Sequence, residues 1–168
     1  MTTTIYCPTN KATLKYGGKG EAIAELQLLL NQRLAEIDTI SEYPLQIPVT
    51  GYFGEQTIGA VKYLQCLAFL KIDGIVGPKT WEYLCEGSTC LPQLSQGSRD
   101  GLVRVIQQTL KDGGFYIGEV DGIYGPKTAK AVIDFQASRH LLADGIIGPQ
   151  TWNALIQLVA YKCTIQAF

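Results

Sequence analysis

Thr50-Gly-Tyr-Phe-Gly-Glu-Gln-Thr57, Asp73-Gly-Ile-Val-Gly-Pro-Lys-Thr80, Asp121-Gly-Ile-Tyr-Gly-Pro-Lys-Thr128 and Asp144-Gly-Ile-Ile-Gly-Pro-Gln-Thr151 are four versions of one phrase. The first two begin 23 residues apart, the last two again 23, and the pairs stand 71 apart, so the chain is a tandem duplication. Each phrase reads as a turn that opens a helix. The leading Asp or Thr and the two glycines supply turn chemistry, and in three copies Pro follows the second Gly, at the first helical position, where its missing N–H does no harm. The apolar pair between the glycines, such as Ile75-Val76 or Ile146-Ile147, is expected to turn inward and pin the helix to a core.

Upstream of the first phrase, Ile23, Leu26, Leu30, Leu34 and Ile37 step by three and four, the stripe of an amphipathic helix. After it, Thr57, Ala60, Val61, Leu64, Leu67 and Ala68 mark a second helix, and Trp81 and Leu84 face inward from a short third. The second copy repeats the order with Val103, Ile106 and Leu110, then Ala131, Val132 and Phe135, then Trp152 and Leu155. Leu30 to Gly51 is 21 residues where Leu110 to Gly122 is 12, so copy one carries nine extra, in a loop holding Tyr43-Pro44 and Ile47-Pro48. Loops absorb such insertions because closure entropy grows slowly with length. The expected organisation is an N-terminal arm over 1–13, a first domain over 14–87, a linker over 88–93, a second domain over 94–160 and a C-terminal tail over 161–168.

Fourteen Lys and Arg stand against fifteen Asp and Glu with no charge block, so there is no electrostatic footprint for nucleic acid. No stretch is long and apolar enough to span a membrane, and the first seven residues lack the charged start and apolar run of a secretory signal. A metal site is not expected, since His140 is the lone histidine. Gly74-Ile-Val-Gly-Pro-Lys-Thr80 puts Pro between Gly and Lys, unlike a phosphate loop, and the phrases lack the closing Glu of a calcium loop. Five cysteines, at 7, 66, 85, 90 and 163, cannot all pair within the chain. Cys85 and Cys90 are nearest in sequence, and either a disulfide there or reduced thiols fits.

These motifs resemble the small helical peptidoglycan-binding domain found attached to cell-wall hydrolases. Its pattern is a Leu-Gln helix, Asp-Gly-x-Phe-Gly-x-x-Thr, Ala-Val-x-x-Phe-Gln, then Asp-Gly-x-x-Gly-Pro-x-Thr-Trp. Copy two matches at Asp121, Gly122, Tyr124, Gly125, Thr128, Ala131, Val132, Phe135, Gln136, Asp144, Gly145, Gly148, Pro149, Thr151 and Trp152, and the likeness covers about residues 14–160. It implies an all-α fold of two tandem three-helix bundles, each from two pseudo-equivalent halves. The chain departs from the pattern at Thr50, where Asp is usual, at Gly59, and at Phe69 and His140, where Gly is usual. A bulky Phe resists the left-handed backbone that a helix-ending Gly supplies, so copy one is expected to end that helix differently, whereas His140 fits a helix end.

The resemblance implies non-catalytic binding of peptidoglycan, through glycan or stem peptide, with a cell-wall hydrolase or other envelope protein as partner, no cofactor, and a place in the envelope or outside the cell. Two other classes remain: an interaction module that has lost the wall ligand, and a small lytic enzyme with a carboxylate pair. Candidate ligand contacts, chosen by loop position, are Tyr52, Tyr116, Asp121, Tyr124 and Gln136. Gln27, Gln65, Gln107 and Gln136 each follow a core-facing residue beside a turn phrase and are expected to satisfy its backbone groups. Trp81 and Trp152 are expected to anchor cores rather than stack on sugar.

Overall fold

The computed structural model describes residues 7–9, 11–37, 45–99 and 101–167. The first six residues of the expected arm, and 38–44 of the expected loop, lie outside them. Among the described residues the chain is all-helical: α1 (Glu21–Ile37), α2 (Glu55–Leu67), α3 (Pro78–Glu86), a 3-10 turn (Gly87–Cys90), α4 (Gly101–Asp112), α5 (Pro126–Ser138) and α6 (Pro149–Ala167). Three helices per copy follow the apolar periodicity, and Pro78 and Pro126 occupy first helical positions. The chain divides into two compact units. Unit 1 runs to Cys90 and takes up α6 again from Ala160, and unit 2 is Leu91–Val159. The residues expected as a tail continue α6 to Ala167.

Each unit closes around its own core. In unit 1 this is Leu26, Leu30, Phe53, Leu64, Val76, Trp81 and Leu84; in unit 2 it is Ile106, Leu110, Tyr124, Phe135, Ile147, Trp152 and Leu155, all with at most 1% exposure. Each such side chain contributes about 1.5–3 kcal/mol by leaving water. The indole N–H of Trp81 donates to the Ala12 carbonyl at 2.8 Å, and that of Trp152 to the Pro92 carbonyl at 2.9 Å. Both rings are therefore core anchors with satisfied donors.

The four phrases are fixed by backbone pairing. Leu14 bridges Val76 and Leu94 bridges Ile147, while Lys19 bridges Tyr52 and Arg99 bridges Ile123. This pairing corrects the expectation that both apolar residues of a phrase turn inward. Side chains alternate sides along extended backbone, so Phe53, Val76, Tyr124 and Ile147 are buried, whereas Tyr52, Ile75 and Ile123 stay 39–41% exposed and Ile146 is half-buried.

Two further expectations are corrected. Phe69 does take the left-handed backbone, φ +55°, as His140 does at +57°. Both α2 and α5 end in the same Schellman motif: Leu70 N–H donates to Gln65 O at 2.8 Å and Leu141 N–H to Gln136 O at 2.9 Å. Cys85 does not pair with Cys90. It pairs with Cys7, Cys66 pairs with Cys163, and Cys90 is the free thiol. Proximity in sequence misleads here because Cys90 turns within the 3-10 segment, its Sγ donating to the Gly87 carbonyl.

Candidate functional site

Each turn phrase is held by one buried glutamine. Gln65 Oε1 accepts from the N–H groups of Asp73 (3.1 Å) and Gly74 (2.9 Å), while its Nε2 donates to Asp73 Oδ1 (3.0 Å), the Ile75 carbonyl (2.9 Å) and Thr80 Oγ1 (3.3 Å). Gln136 repeats this with Gly145, Asp144, Ile146 and Thr151, Gln107 with Gly122, Asp121, Ile123 and Thr128, and Gln27 with Gly51, Tyr52 and Thr57. One amide thus satisfies donors and acceptors that would otherwise be stranded. The leading residue closes the turn from the other side: Asp73, Asp121 and Asp144 each accept the N–H two residues on, at 2.9 Å. Thr50 does the same by its hydroxyl at 3.2 Å, so Thr in place of Asp keeps the turn. At Gly74, φ is +72° and a Cβ would meet Ile58 Cγ1 at 2.7 Å, so a side chain there would be strained and would have to displace Ile58.

The second phrase of each copy builds a surface groove. In unit 1 it has a volume of about 200 Å³ and is lined by Gln65, Leu70, Lys71, Asp73, Ile75, Pro78 and Lys79, among others. In unit 2 the volume is about 480 Å³, and the corresponding residues are Gln136, Leu141, Leu142, Asp144, Ile146, Pro149 and Gln150. The clamping glutamine forms the floor, an isoleucine and a proline form apolar walls, and a carboxylate sits at the rim. Unit 1 adds two ammonium groups, Lys71 lying 3.8 Å from Asp73, where unit 2 has Leu142 and Gln150.

These carboxylates are held ionised, not poised as general acids. The Ile75 N–H first, then the Gln65 amide, hold the Asp73 carboxyl below the usual range. The Ile146 N–H and the Gln136 amide do so for Asp144. Gln107, then the Ile123 N–H, do so for Asp121. A general acid near neutral pH needs the opposite shift. Burial, then the Asp144 carboxylate, push the Tyr124 hydroxyl up. Among the described residues no cluster of His, Cys, Asp and Glu is arranged to hold a metal, and no helix is long and apolar enough to cross a membrane.

The five residues chosen from sequence fall in different places. Gln136 lines the unit 2 groove from its floor, buried and fully engaged. Tyr124 is buried behind the same phrase, its hydroxyl donating to the Gly145 carbonyl at 2.8 Å. Tyr116 and Asp121 are brought together around Gln107, with Tyr116 buried and donating to the Glu119 carbonyl. Tyr52 alone is an exposed ring, on unit 1. The groove walls, Ile75, Pro78, Ile146 and Pro149, escaped sequence reading because an apolar residue inside a turn phrase reads as core. Alternation along the phrase would have singled out the isoleucines as the outward members.

The sequence matches the model of the peptidoglycan binding domain twice, over residues 19–84 and 99–155. It is 32% identical to the N-acetylmuramoyl-L-alanine amidase CwlL of Bacillus licheniformis, over 85% of this chain and 46% of that protein. It is 31% identical to the amidase CwlM of Mycobacterium tuberculosis, over 78% of this chain and 34% of that one. The chain thus spans less than half the length of either relative. Among solved structures, the SleB N-terminal domain is similar at 35% identity, with a TM-score of 0.39 and coverage of 39% of this chain and 90% of that domain.

Proposed function

Because the chain belongs to the peptidoglycan binding domain family, we propose that it is a non-catalytic module. It grips wall polymer in the groove of each unit and holds itself, or a partner such as a cell-wall hydrolase, on the wall. The observation that carries this reading is the recurrence of one groove on one turn phrase, floored by Gln65 in unit 1 and Gln136 in unit 2. Tethering two contacts makes the second intramolecular and raises avidity roughly a hundredfold or more when both engage one mesh. The groove carboxylates, held ionised by turn hydrogen bonds, support a binding role over a hydrolytic one.

The test is co-sedimentation with purified peptidoglycan sacculi at low and moderate salt, with the supernatant assayed for released wall fragments. Retention without release is expected. Failure to sediment at either salt would sink wall binding, and fragment release would make the protein an enzyme.

A further inference from the structure

Two phenol rings stand in the open on unit 1, built from none of the groove's residues. Tyr16 is 52% and Tyr52 41% exposed. The backbone fixes both: Lys19 and Tyr52 face one another across an antiparallel bridge, Gly17 N–H donates to the Phe53 carbonyl, and Phe53 N–H to the Gly18 carbonyl, each at 2.9 Å. Tyr16, next to Gly17, is thereby carried alongside the first phrase. Tyr52 rests on the backbone at the start of α2, where a Cβ on Gly54 would meet its Cε1 at 3.1 Å. Polar groups border the rings. Lys19 Nζ lies over the Tyr52 ring, 5.4 Å from its centroid, and the Glu55 carboxylate, then the Tyr52 side chain, face the Tyr16 hydroxyl and raise its pKa.

The fold does not require these rings. At the corresponding positions unit 2 has Gln96, Arg99, Ile123 and Pro126, yet forms the same bridge between Arg99 and Ile123. Exposed, backbone-supported aromatic rings beside a carboxylate and a mobile ammonium match one ligand chemistry. That ligand is a pyranose, whose axial C–H face is apolar and whose edge carries hydroxyl and amide groups.

The geometry points to a glycan-stacking platform on unit 1, where Tyr16 and Tyr52 take the ring face of an N-acetylated hexosamine strand and the Lys19 ammonium swings off the Tyr52 face to bind, with Glu55, its polar edge. The platform makes unit 1 the glycan reader, and unit 2 lacks the site. The assignment of the strand to the wall rests on the function proposed above.

Titration of the 15N-labelled protein with a soluble β-1,4-linked N-acetylglucosamine tetramer tests it. Amide shifts are expected at Tyr16, Gly17, Tyr52, Gly54 and Glu55, and none at Gln96, Ser98 or Ile123. Tyr16→Ala with Tyr52→Ala should weaken binding at least about tenfold, the combined loss of two stacking contacts. Tyr16→Phe with Tyr52→Phe should stay within about threefold of the parent, because the ring faces remain. Absence of shifts, shifts elsewhere, or binding unchanged in the alanine pair overturns the platform. Sacculus sedimentation of the parent protein, run in parallel, reports separately on whether wall binding stands.

Discussion

Gln136 donates its side-chain amide to the Asp144 carboxylate at 3.0 Å, and the same Asp144 oxygen accepts the Ile146 N–H at 2.9 Å. One buried amide and one exposed carboxylate therefore lock a turn from both sides, and the pair recurs as Gln65 with Asp73 and Gln107 with Asp121.

Replacing the buried member should be costly. Gln136→Leu preserves approximate volume but strands the Gly145 N–H, which is buried, and leaves the Ile146 carbonyl with the Thr151 hydroxyl as its donor at 3.3 Å. A stranded buried group costs about 1–3 kcal/mol, so urea denaturation should show a loss of roughly that size. Gln65→Leu should do the same in unit 1. A loss under about 1 kcal/mol would mean that water replaces the amide.

Stability should fall in acid from the three turn aspartates. Their folded pKa values are lowered, so the stabilisation is complete above the unfolded carboxylate value of about 3.9 and is lost as pH drops through the lower folded values. The contribution of these groups to the melting temperature should be full and constant between pH 5 and 7, then decline below about pH 4. Asp121→Asn with Asp144→Asn should flatten that decline while lowering stability at pH 7.

Unit 1 should be redox-sensitive. Cys7–Cys85 closes a sequence separation of 78 and Cys66–Cys163 one of 97, and each crosslink contributes roughly 2–4 kcal/mol by restricting the unfolded chain. Reductant should lower the unfolding midpoint of unit 1 and leave unit 2 contacts, followed by amide NMR, in place. Under denaturing, non-reducing conditions one thiol per chain should titrate, Cys90. Burial first, then Glu82 and Glu86, push it up to about 11 in the folded protein. On the order of one in a thousand is ionised at pH 8, and alkylation should accelerate sharply on unfolding.

The four-fold phrase made the fold legible, because Gly, Pro and Asp at fixed offsets each have a local mechanism. The glutamines were legible too, since a polar residue beside a core position must find partners. What stayed hidden was set by tertiary context. Intrinsic preference argues against a left-handed Phe69, yet the Leu70 N–H to Gln65 O bond holds it in that region. The groove and Tyr16 went unseen because neither has a motif: they arise from which side of an extended segment faces out. The disulfides join residues 78 and 97 positions apart, a pairing that spacing alone does not encode.

The His140 position offers a gain. It is exposed and sits at φ +57°, ending α5 with its N–H on the Ala137 carbonyl. A non-glycine residue pays roughly 1 kcal/mol for that backbone. His140→Gly should therefore raise stability by about 0.5–1 kcal/mol, less the unfolded-chain entropy that glycine adds, a rise of a few degrees by calorimetry. Phe69→Gly should gain less or lose, because Phe69 is half-buried and gives up its packing.

The grooves should differ in their response to salt. Lys71 has 87% of its side chain exposed, 3.8 Å from Asp73, and Lys79 lines the same groove, whereas Leu142 and Gln150 hold those places in unit 2. Two ammonium groups against one carboxylate favour an anionic portion of the wall, and attraction between exposed charges is screened over about 8–10 Å at physiological salt. Lys71→Leu with Lys79→Gln, which gives unit 1 the unit 2 lining, should lower sacculus retention at low salt several-fold and flatten its salt dependence. Retention that falls with salt equally in parent and variant would place the charged contact outside this groove.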